Sequence, residues 1–428
     1  MSEGRAPIDN LLRLGLFRDR PVFEAAQQLF GPIVVPAHIA AHSPDGLWGF
    51  MKGVGPKPFF FDPMTYWLWL PPKFWLRGSE AARGPDLPMP VDGGQIRPAF
   101  AKLLDAYGLL DAATHEGDAQ FRSLALERLP SACLDFQRRG IVPKTTKAVS
   151  KYAAILGIDV DDEGFTPSRL VAPYRPLDGA AALADQRTLN LTTLDAIDPT
   201  EEVWAVVALD SARIFRSLDA NQLSELALDR FAGIGLWVGG LDEHHASADD
   251  LRRYRALVRS IGRPVWLMFA GYFGVLLSYD GVCEVSHGVF YTESKQLQGP
   301  VGSGPPADRY YIRALHRFYE PTRAFQILEL IPEFECTCPE CPDLGTLRAA
   351  SVAARTDSIR RMDWIQRLQR HFLGSRRREI EAAAALPLED LLQELTDAKA
   401  QVDAVPRSLR SATGLEADHL GRWLDALR

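Results

Sequence analysis

The feature that most restricts the fold is a run of short apolar segments in the middle of the chain, each followed by a helical pattern. Val203–Leu209 (Val-Trp-Ala-Val-Val-Ala-Leu) ends at Asp210, and Ile234–Val238 ends in Gly239-Gly240-Leu241-Asp242. Pro264–Phe269 and Gly288–Tyr291 follow at similar intervals, with Leu170–Tyr174 upstream. Continuous apolar runs of this length fit strands buried on both faces. The helix between the second and third of these runs is clearly punctuated. Ser247 caps it with Asp250 three residues on, Leu251, Tyr254, Leu257, Val258 and Ile261 form its stripe, and Gly262 and Pro264 end it. Pro32–Ile39 and Pro58–Phe61 supply two earlier strands. Strands alternating with helices predict a parallel sheet with crossover helices. With seven candidate strands the economical solution is an α/β fold, a closed (β/α)8 TIM-like barrel. An open doubly wound sheet is the alternative, and no Gly-x-Gly-x-x-Gly turn supports it.

The remaining segments fit around this unit. Residues 77–97 and Gln298–Asp308 read as loops, and Ala99–Tyr107, Phe121–Arg138 and Lys147–Leu156 as helices. Further helices are expected through Leu218, over Leu223–Arg230, near Phe273–Leu277 and from Pro321. From Pro387 the pattern is helical, ending in an amphipathic helix at Leu415–Leu427. The expected division is a barrel over 1–330, a metal-binding subdomain over 331–385 and a helical tail over 386–428.

The cysteines carry the strongest chemical signal. Cys336, Cys338 and Cys341 fall within six residues, too close to pair easily as disulfides. They can converge on one tetrahedral ion, with His371, the nearest histidine downstream, as the fourth ligand. A Cys3His set with four protein ligands is a structural zinc site, so Zn2+ is the expected cofactor. The other two cysteines, Cys133 and Cys283, stand alone in apolar surroundings, which suits a reducing, cytoplasmic setting.

Composition narrows the partners. Apolar residues make up 46% and charged residues 24%, ordinary for a globular domain, and the net charge is −7. Met1–Arg20 mixes acids with arginines and does not read as a signal peptide. The most apolar stretch, Pro58–Leu76, is too broken by Asp62, Lys73 and prolines to span a membrane. Between Arg355 and Arg378 there are eight arginines, a local basic segment that could meet a phosphate backbone or simply be a solvated helix face.

In such a barrel, chemistry sits at the C-terminal ends of the strands. Asp62, Asp210, Asp242 and Glu293 all stand at or just past the end of an apolar run. Paired carboxylates suit glycosyl chemistry, one attacking the anomeric carbon and the other protonating the leaving group. Helix capping and loop bonding are the alternative uses for any one of them. No His-Glu-x-x-His motif points to a catalytic metal.

Cys-x-Cys-x-x-Cys followed by a histidine about thirty residues on, behind a barrel, resembles the tRNA-guanine transglycosylase superfamily. The likeness extends over residues 30–385, and the zinc motif is its specific part. Within that family Phe-Phe-Phe-Asp62-Pro-Met-Thr is similar to the early strand that opens an Asp-Ser-Gly-Gly-Phe-Gln motif, although Pro63-Met64-Thr65-Tyr66 replaces the rest. The resemblance implies that Asp62 is the acid/base group, that Asp210 hydrogen-bonds the incoming base, and that Gly239 approaches it. The family's nucleophilic strand, Gly-Val-Asp-x-Phe-Asp-Cys, matches Gly288-Val289-Phe290-Tyr291-Thr292-Glu293-Ser294, so Glu293 stands where an Asp is expected. The nucleophile is therefore Glu293 or Asp242, or no covalent intermediate forms.

The departures, with Tyr310-Tyr311-Ile312 and Leu315-His316, look closer to the bacterial branch that inserts 7-deazaguanines into DNA. The implied activity is exchange of a guanine in nucleic acid, DNA rather than tRNA, for a 7-deazaguanine such as preQ0. The implied partners are DNA or tRNA, the free base, and a partner subunit or a second copy. A non-catalytic nucleic-acid-binding subunit and a nucleoside hydrolase are the competing readings.

Overall fold

The structure, a computed structural model, describes residues 8–15, 19–70, 96–115, 117–142, 164–217, 222–223, 226, 228–289, 297 and 308–428. The loop segment 77–95, the expected helix Lys147–Leu156, Glu293 and the loop segment 298–307 lie outside these residues.

The expected barrel is present. Its strands are β1 (Asp9–Arg13), β2 (Ile33–Pro36), β3 (Phe59–Asp62), β4 (Leu170–Val171), β5 (Pro176–Leu177), β6 (Val203–Leu209), β7 (Gly233–Val238), β8 (Val265–Leu267) and β9 (Val282–His287). They pair in the order β3-β2-β1-β9-β8-β7-β6-β4, with β5 also on β6, and every pairing is parallel. β4 and β5 are two pieces of one stave. Pro173, which has no N–H to donate, stands between them. That stave meets β3 through the Ser168 N–H and hydroxyl, which donate to the Phe59 carbonyl at 2.7 and 3.0 Å. Eight staves in sequential order thus form a nearly closed barrel.

Alternation along each strand sorts the core. Leu11, Val34, Phe60, Val171, Val206 and Trp266 point inward into one cluster, while Leu12, Ile33, Val35, Phe59 and Phe61 pack outward under the helices. β7 reads Gly-Ile-Gly-Leu-Trp-Val, and its two inward glycines make room for large neighbours. A Cβ on Gly233 would lie 2.6 Å from the Trp204 ring, and one on Gly235 2.9 Å from Trp266. The floor of the barrel is ionic. The Arg169 guanidinium forks onto both oxygens of Glu284 at 2.7 and 2.5 Å, with its Cζ 3.9 Å from the Phe60 ring centre and 4.0 Å from that of Trp204.

Two strands differ from the sequence reading. β1 lies within the N-terminal segment, where no strand is predicted. The last stave is Val282–His287, upstream of the expected Gly288–Tyr291, of which Phe290 and Tyr291 lie outside the described residues. In both, polar side chains occupy inward positions (Arg13 in β1, Glu284 and Ser286 in β9), which breaks the apolar run used to find strands.

After the barrel comes a hairpin, β10 (Tyr310–Ile312) with β11 (Arg317–Tyr319), then the helix Pro321–Leu330, the cysteine segment and the helix Leu344–Ala354. The long helix Ser358–Ala385 follows, opened by Asp357, whose carboxylate accepts from the Ile359 and Arg360 N–H groups. This helix carries His371 and also lies against the barrel. Phe372 meets His287 of β9 with ring centres 5.1 Å apart, and Leu373 belongs to the core around β2 and β3. The Cys/His region and the barrel therefore share one helix. The tail forms helices Leu388–Ala404, Arg407–Thr413 and Asp418–Leu427. The last of these returns to the barrel, where Trp423 Nε1–H donates to the Glu243 carbonyl at 2.8 Å. Among the described residues no helix is long and apolar enough to cross a membrane.

Candidate functional site

At the C-terminal end of the staves, Asp62 is fully buried. Its carboxylate pairs with Arg13 of β1 at 2.6 Å and accepts from the Tyr174 hydroxyl at 2.8 Å and the Met64 N–H at 2.9 Å. Pro63-Met64-Thr65 forms the frame for this carboxylate. Thr65 Oγ1 donates to the Tyr174 carbonyl and accepts from the Tyr174 N–H, both at 2.7 Å, and the Tyr107 hydroxyl donates to the Pro63 carbonyl at 2.8 Å. Arg13 also donates to Met64 Sδ at 3.0 Å. Burial opposes the Arg13 charge, yet the Asp62 carboxylate beside it holds its pKa above the ordinary value. Burial likewise raises the Tyr66 and Tyr174 phenols, so both remain O–H groups.

Aromatic rings surround this ion pair. Tyr66 stacks on Tyr174 at 5.8 Å and meets Trp237 edge-on at 5.0 Å, and Trp237 lies 4.7 Å from Phe269. The Arg13 Cζ is 5.0 Å from the Phe269 ring centre. His38, just past β2, is held neutral: burial first, then the Arg13 charge, lower its pKa to about 4. Arg13, His38, Tyr66 and Tyr174 were not singled out from sequence. Their common signal is position, since Arg13 and His38, like Asp62, stand at or just past the end of a stave.

Asp210 and Gly239 meet each other at the ends of β6 and β7. The Gly239 N–H donates to the Leu209 carbonyl at 2.7 Å, and a Cβ there would lie 2.4 Å from the Asp210 carbonyl oxygen. Close backbone approach alone requires glycine at this position. Asp242 is exposed, and its carboxylate is engaged locally, by the His244 N–H at 2.9 Å and His245 Nδ1 at 2.8 Å. Hydrogen bonds from His244 and His245 hold its pKa well below the usual carboxylate range. Its neighbours Glu243 and His244 face the tail helix, through Trp423 and Arg422. Glu293 lies outside the described residues.

The four metal-ligand candidates converge. One donor atom from each of Cys336, Cys338, Cys341 and His371 lies within 4.8 Å of the others. His371 Nδ1 is 3.4 Å from Cys338 Sγ and 3.3 Å from Cys341 Sγ. Bond lengths of about 2.3 Å to sulfur and 2.0 Å to nitrogen give tetrahedral edges of roughly 3.5 Å, so the spacing fits a metal ion. His371 Nε2–H donates to the Tyr311 carbonyl at 2.7 Å, leaving Nδ1 to face the thiols, and Tyr310 stacks on the ring at 4.5 Å. Arg378 donates to Cys336 Sγ at 3.1 Å, as it would to a thiolate. All four donors are protein groups, so the site can hold an ion but offers no open position for substrate.

The basic segment is less free than its composition suggests. Arg376 is buried against Glu379 at 3.0 Å. Arg370 pairs with Glu340, Arg377 with Glu381, and Arg361 with Asp308, while Arg367 donates to the Glu340 carbonyl. Arg355 and Arg360 lie 3.7 and 3.6 Å from Glu320 and Asp357. The exposed pairs are weak and can exchange for phosphates.

A pH dependence of stability follows from His287, which is 2% exposed. Burial, then the Arg376 charge, lower its pKa to about 3. The folded state keeps it neutral while the unfolded chain takes up a proton near the ordinary 6.5. Its contribution is complete above that value and is lost as pH falls toward 3. This histidine alone is expected to lower stability by roughly 2 kcal/mol between pH 7 and pH 5. Urea unfolding across that range should show a shallower slope in His287→Gln; an unchanged slope would show that His287 does not govern it.

No family model matches the chain, and no curated protein matches it. Among solved structures, an enolase protein from the environmental genome shotgun sequencing of the Sargasso Sea aligns over 67% of this chain at 12% identity, with a TM-score of 0.24. The aligned region spans 55% of that enolase, and a score this low assigns neither family nor activity.

Proposed function

We propose that the chain is a base-exchange transglycosylase that replaces a guanine in nucleic acid, DNA in preference to tRNA, with a 7-deazaguanine. The observation that carries this reading is the barrel-end carboxylate Asp62, fixed by Arg13, Tyr174 and the Met64 N–H and bordered by Tyr66, Trp237 and Phe269. A carboxylate beside aromatic faces suits a planar heterocycle that has left its stack. A second carboxylate attacks C1′ as the bond to guanine breaks, and the departing ring nitrogen takes up a solvent proton relayed by Asp62. The incoming 7-deazaguanine loses its ring N–H proton to solvent through Asp62 and displaces the carboxylate from C1′, which restores both groups. Asp242 and Glu293 remain the candidates for the attacking role. Zinc is the ion we assign to Cys336, Cys338, Cys341 and His371, where it joins the cysteine segment to the long helix and takes no part in the exchange. The exposed arginines of that region would exchange their carboxylates for phosphates.

The complete burial of Asp62 favours a second reading, a non-catalytic nucleic-acid-binding subunit in which Asp62 is a structural acid. Labelled guanine and labelled preQ0, offered with duplex DNA and with tRNA to the zinc-loaded protein, distinguish the two. Incorporation into DNA is expected; binding with no incorporation into either nucleic acid would overturn the enzyme reading. Asp62→Asn should abolish incorporation and, because it leaves Arg13 buried without its counter-charge, should also lower the melting temperature.

A further inference from the structure

Arg13 is 4% exposed, and its two terminal nitrogens are used unequally. Nη2 serves both Asp62 Oδ2, at 2.6 Å, and Met64 Sδ, at 3.0 Å. Nη1 is buried with no hydrogen-bond acceptor among the described residues. A buried guanidinium N–H without an acceptor is costly, and native structures rarely keep one without a use.

A second observation points to the same group. Among the described residues only three that are not glycine have a left-handed backbone, and two of them touch Arg13. Met64, with φ 57°, supplies the sulfur at Nη2, and Phe269, with φ 58°, lies against the guanidinium. Met64 follows β3 and Phe269 follows β8, staves that are not neighbours in the barrel. Backbone strain of this kind persists where surroundings over-determine it, and it clusters at ligand sites. Here two strained segments from different parts of the barrel position the partners of one arginine that keeps one donor unused.

We propose that Arg13 selects the base: its unused Nη1–H donates to the exocyclic carbonyl oxygen of a 6-oxopurine or 7-deazapurine lying against Trp237 and Phe269. The ligand class rests on the base-exchange reading. A 7-deazaguanine has carbon where guanine has N7, so this edge of its ring offers only the carbonyl oxygen, which one N–H satisfies. Adenine presents an amino group at the position of that oxygen, so two donors are opposed there, and only a shifted ring would offer N7 instead.

The test is equilibrium binding of guanine, 7-deazaguanine and adenine to the full-length zinc-loaded protein. Wild type should bind the two oxo bases comparably and adenine at least tenfold more weakly. Arg13→Lys keeps a cation for Asp62 but loses the fork. It should weaken binding of both oxo bases by about 10- to 100-fold, with much less change for adenine. Guanine bound by a folded Arg13→Lys protein as tightly as by wild type would overturn the assignment while leaving base exchange intact. Failure of wild type to bind any base would overturn both. If Arg13→Lys does not fold, the double variant Arg13→Met/Asp62→Asn removes both charges together. A retained preference for oxo bases in that protein would equally overturn the role of Arg13.

Discussion

Chelation at the Cys336–Cys338–Cys341–His371 cluster, the candidate metal site, is expected to destabilise the barrel as well as the C-terminal region. His371 lies in the middle of the helix Ser358–Ala385, and the next two residues of that helix, Phe372 and Leu373, pack against the barrel. His287, which meets Phe372, stands on β9 and bonds Asn10 of β1 through its Nε2 at 2.8 Å, at the junction where the first and last staves pair. Freeing His371 therefore loosens the helix that covers the closure. Apparent binding free energies for structural zinc are on the order of 10–16 kcal/mol in small domains. If only about 5 kcal/mol of that is coupled to the barrel, the melting temperature should fall by roughly 5 °C or more. Chelation and Cys338→Ser should give the same shift, and limited proteolysis should then cut within the barrel as well as after Ile331. A chelated protein that melts with the untreated one would show that the cluster is not a metal site. A shift with proteolysis confined to the C-terminal region would show that the shared helix does not couple the two.

What could be read from the chain and what could not follows from where the partners lie. β6 and β7 were legible because nearly every residue in them is apolar or small, and a run of that kind needs no partner to be recognised. Cys336, Cys338 and Cys341 were legible because three donors are local; His371 needed only the nearest histidine. β1 was not legible, since Asp-Asn-Leu-Leu-Arg looks like a polar terminal segment until Arg13 is seen paired with Asp62 inside the barrel. β9 was placed too late because Glu284 appears to interrupt it, and its partner Arg169 lies 115 residues away in sequence. Asp62 was found from its place at a strand end, but Tyr174, which fixes its other oxygen, is 112 residues away. That the Arg-rich helix also packs on the barrel is not legible, for the opposite reason. Eight arginines in a row of helical turns look like a surface, whereas Arg376 and Arg378 are directed into Glu379 and Cys336.

The barrel floor gives the second large effect. Arg169→Met is expected to cost about 3–5 kcal/mol, because it leaves the Glu284 carboxylate buried without its cation. Burial already raises the Glu284 pKa, with Arg169 opposing that rise; without Arg169 the acid would take up a proton on folding. Part of the Arg169 contribution is not ionic. Its guanidinium lies between the Phe60 and Trp204 rings, at 3.9 and 4.0 Å, so the side chain also fills the floor. The double variant Arg169→Met/Glu284→Leu removes both charges and keeps an apolar body between the rings. It is expected to recover most of the loss, since replacing a whole buried pair is often neutral or stabilising. Urea unfolding of the two single variants and the double closes the thermodynamic cycle. The expected signature is two costly single changes with a strongly favourable coupling between them. An Arg169→Met protein within about 1 kcal/mol of wild type would mean that the pair contributes little. A double variant as unstable as the sum of the singles would locate the contribution in the shape of the two side chains rather than in their charges.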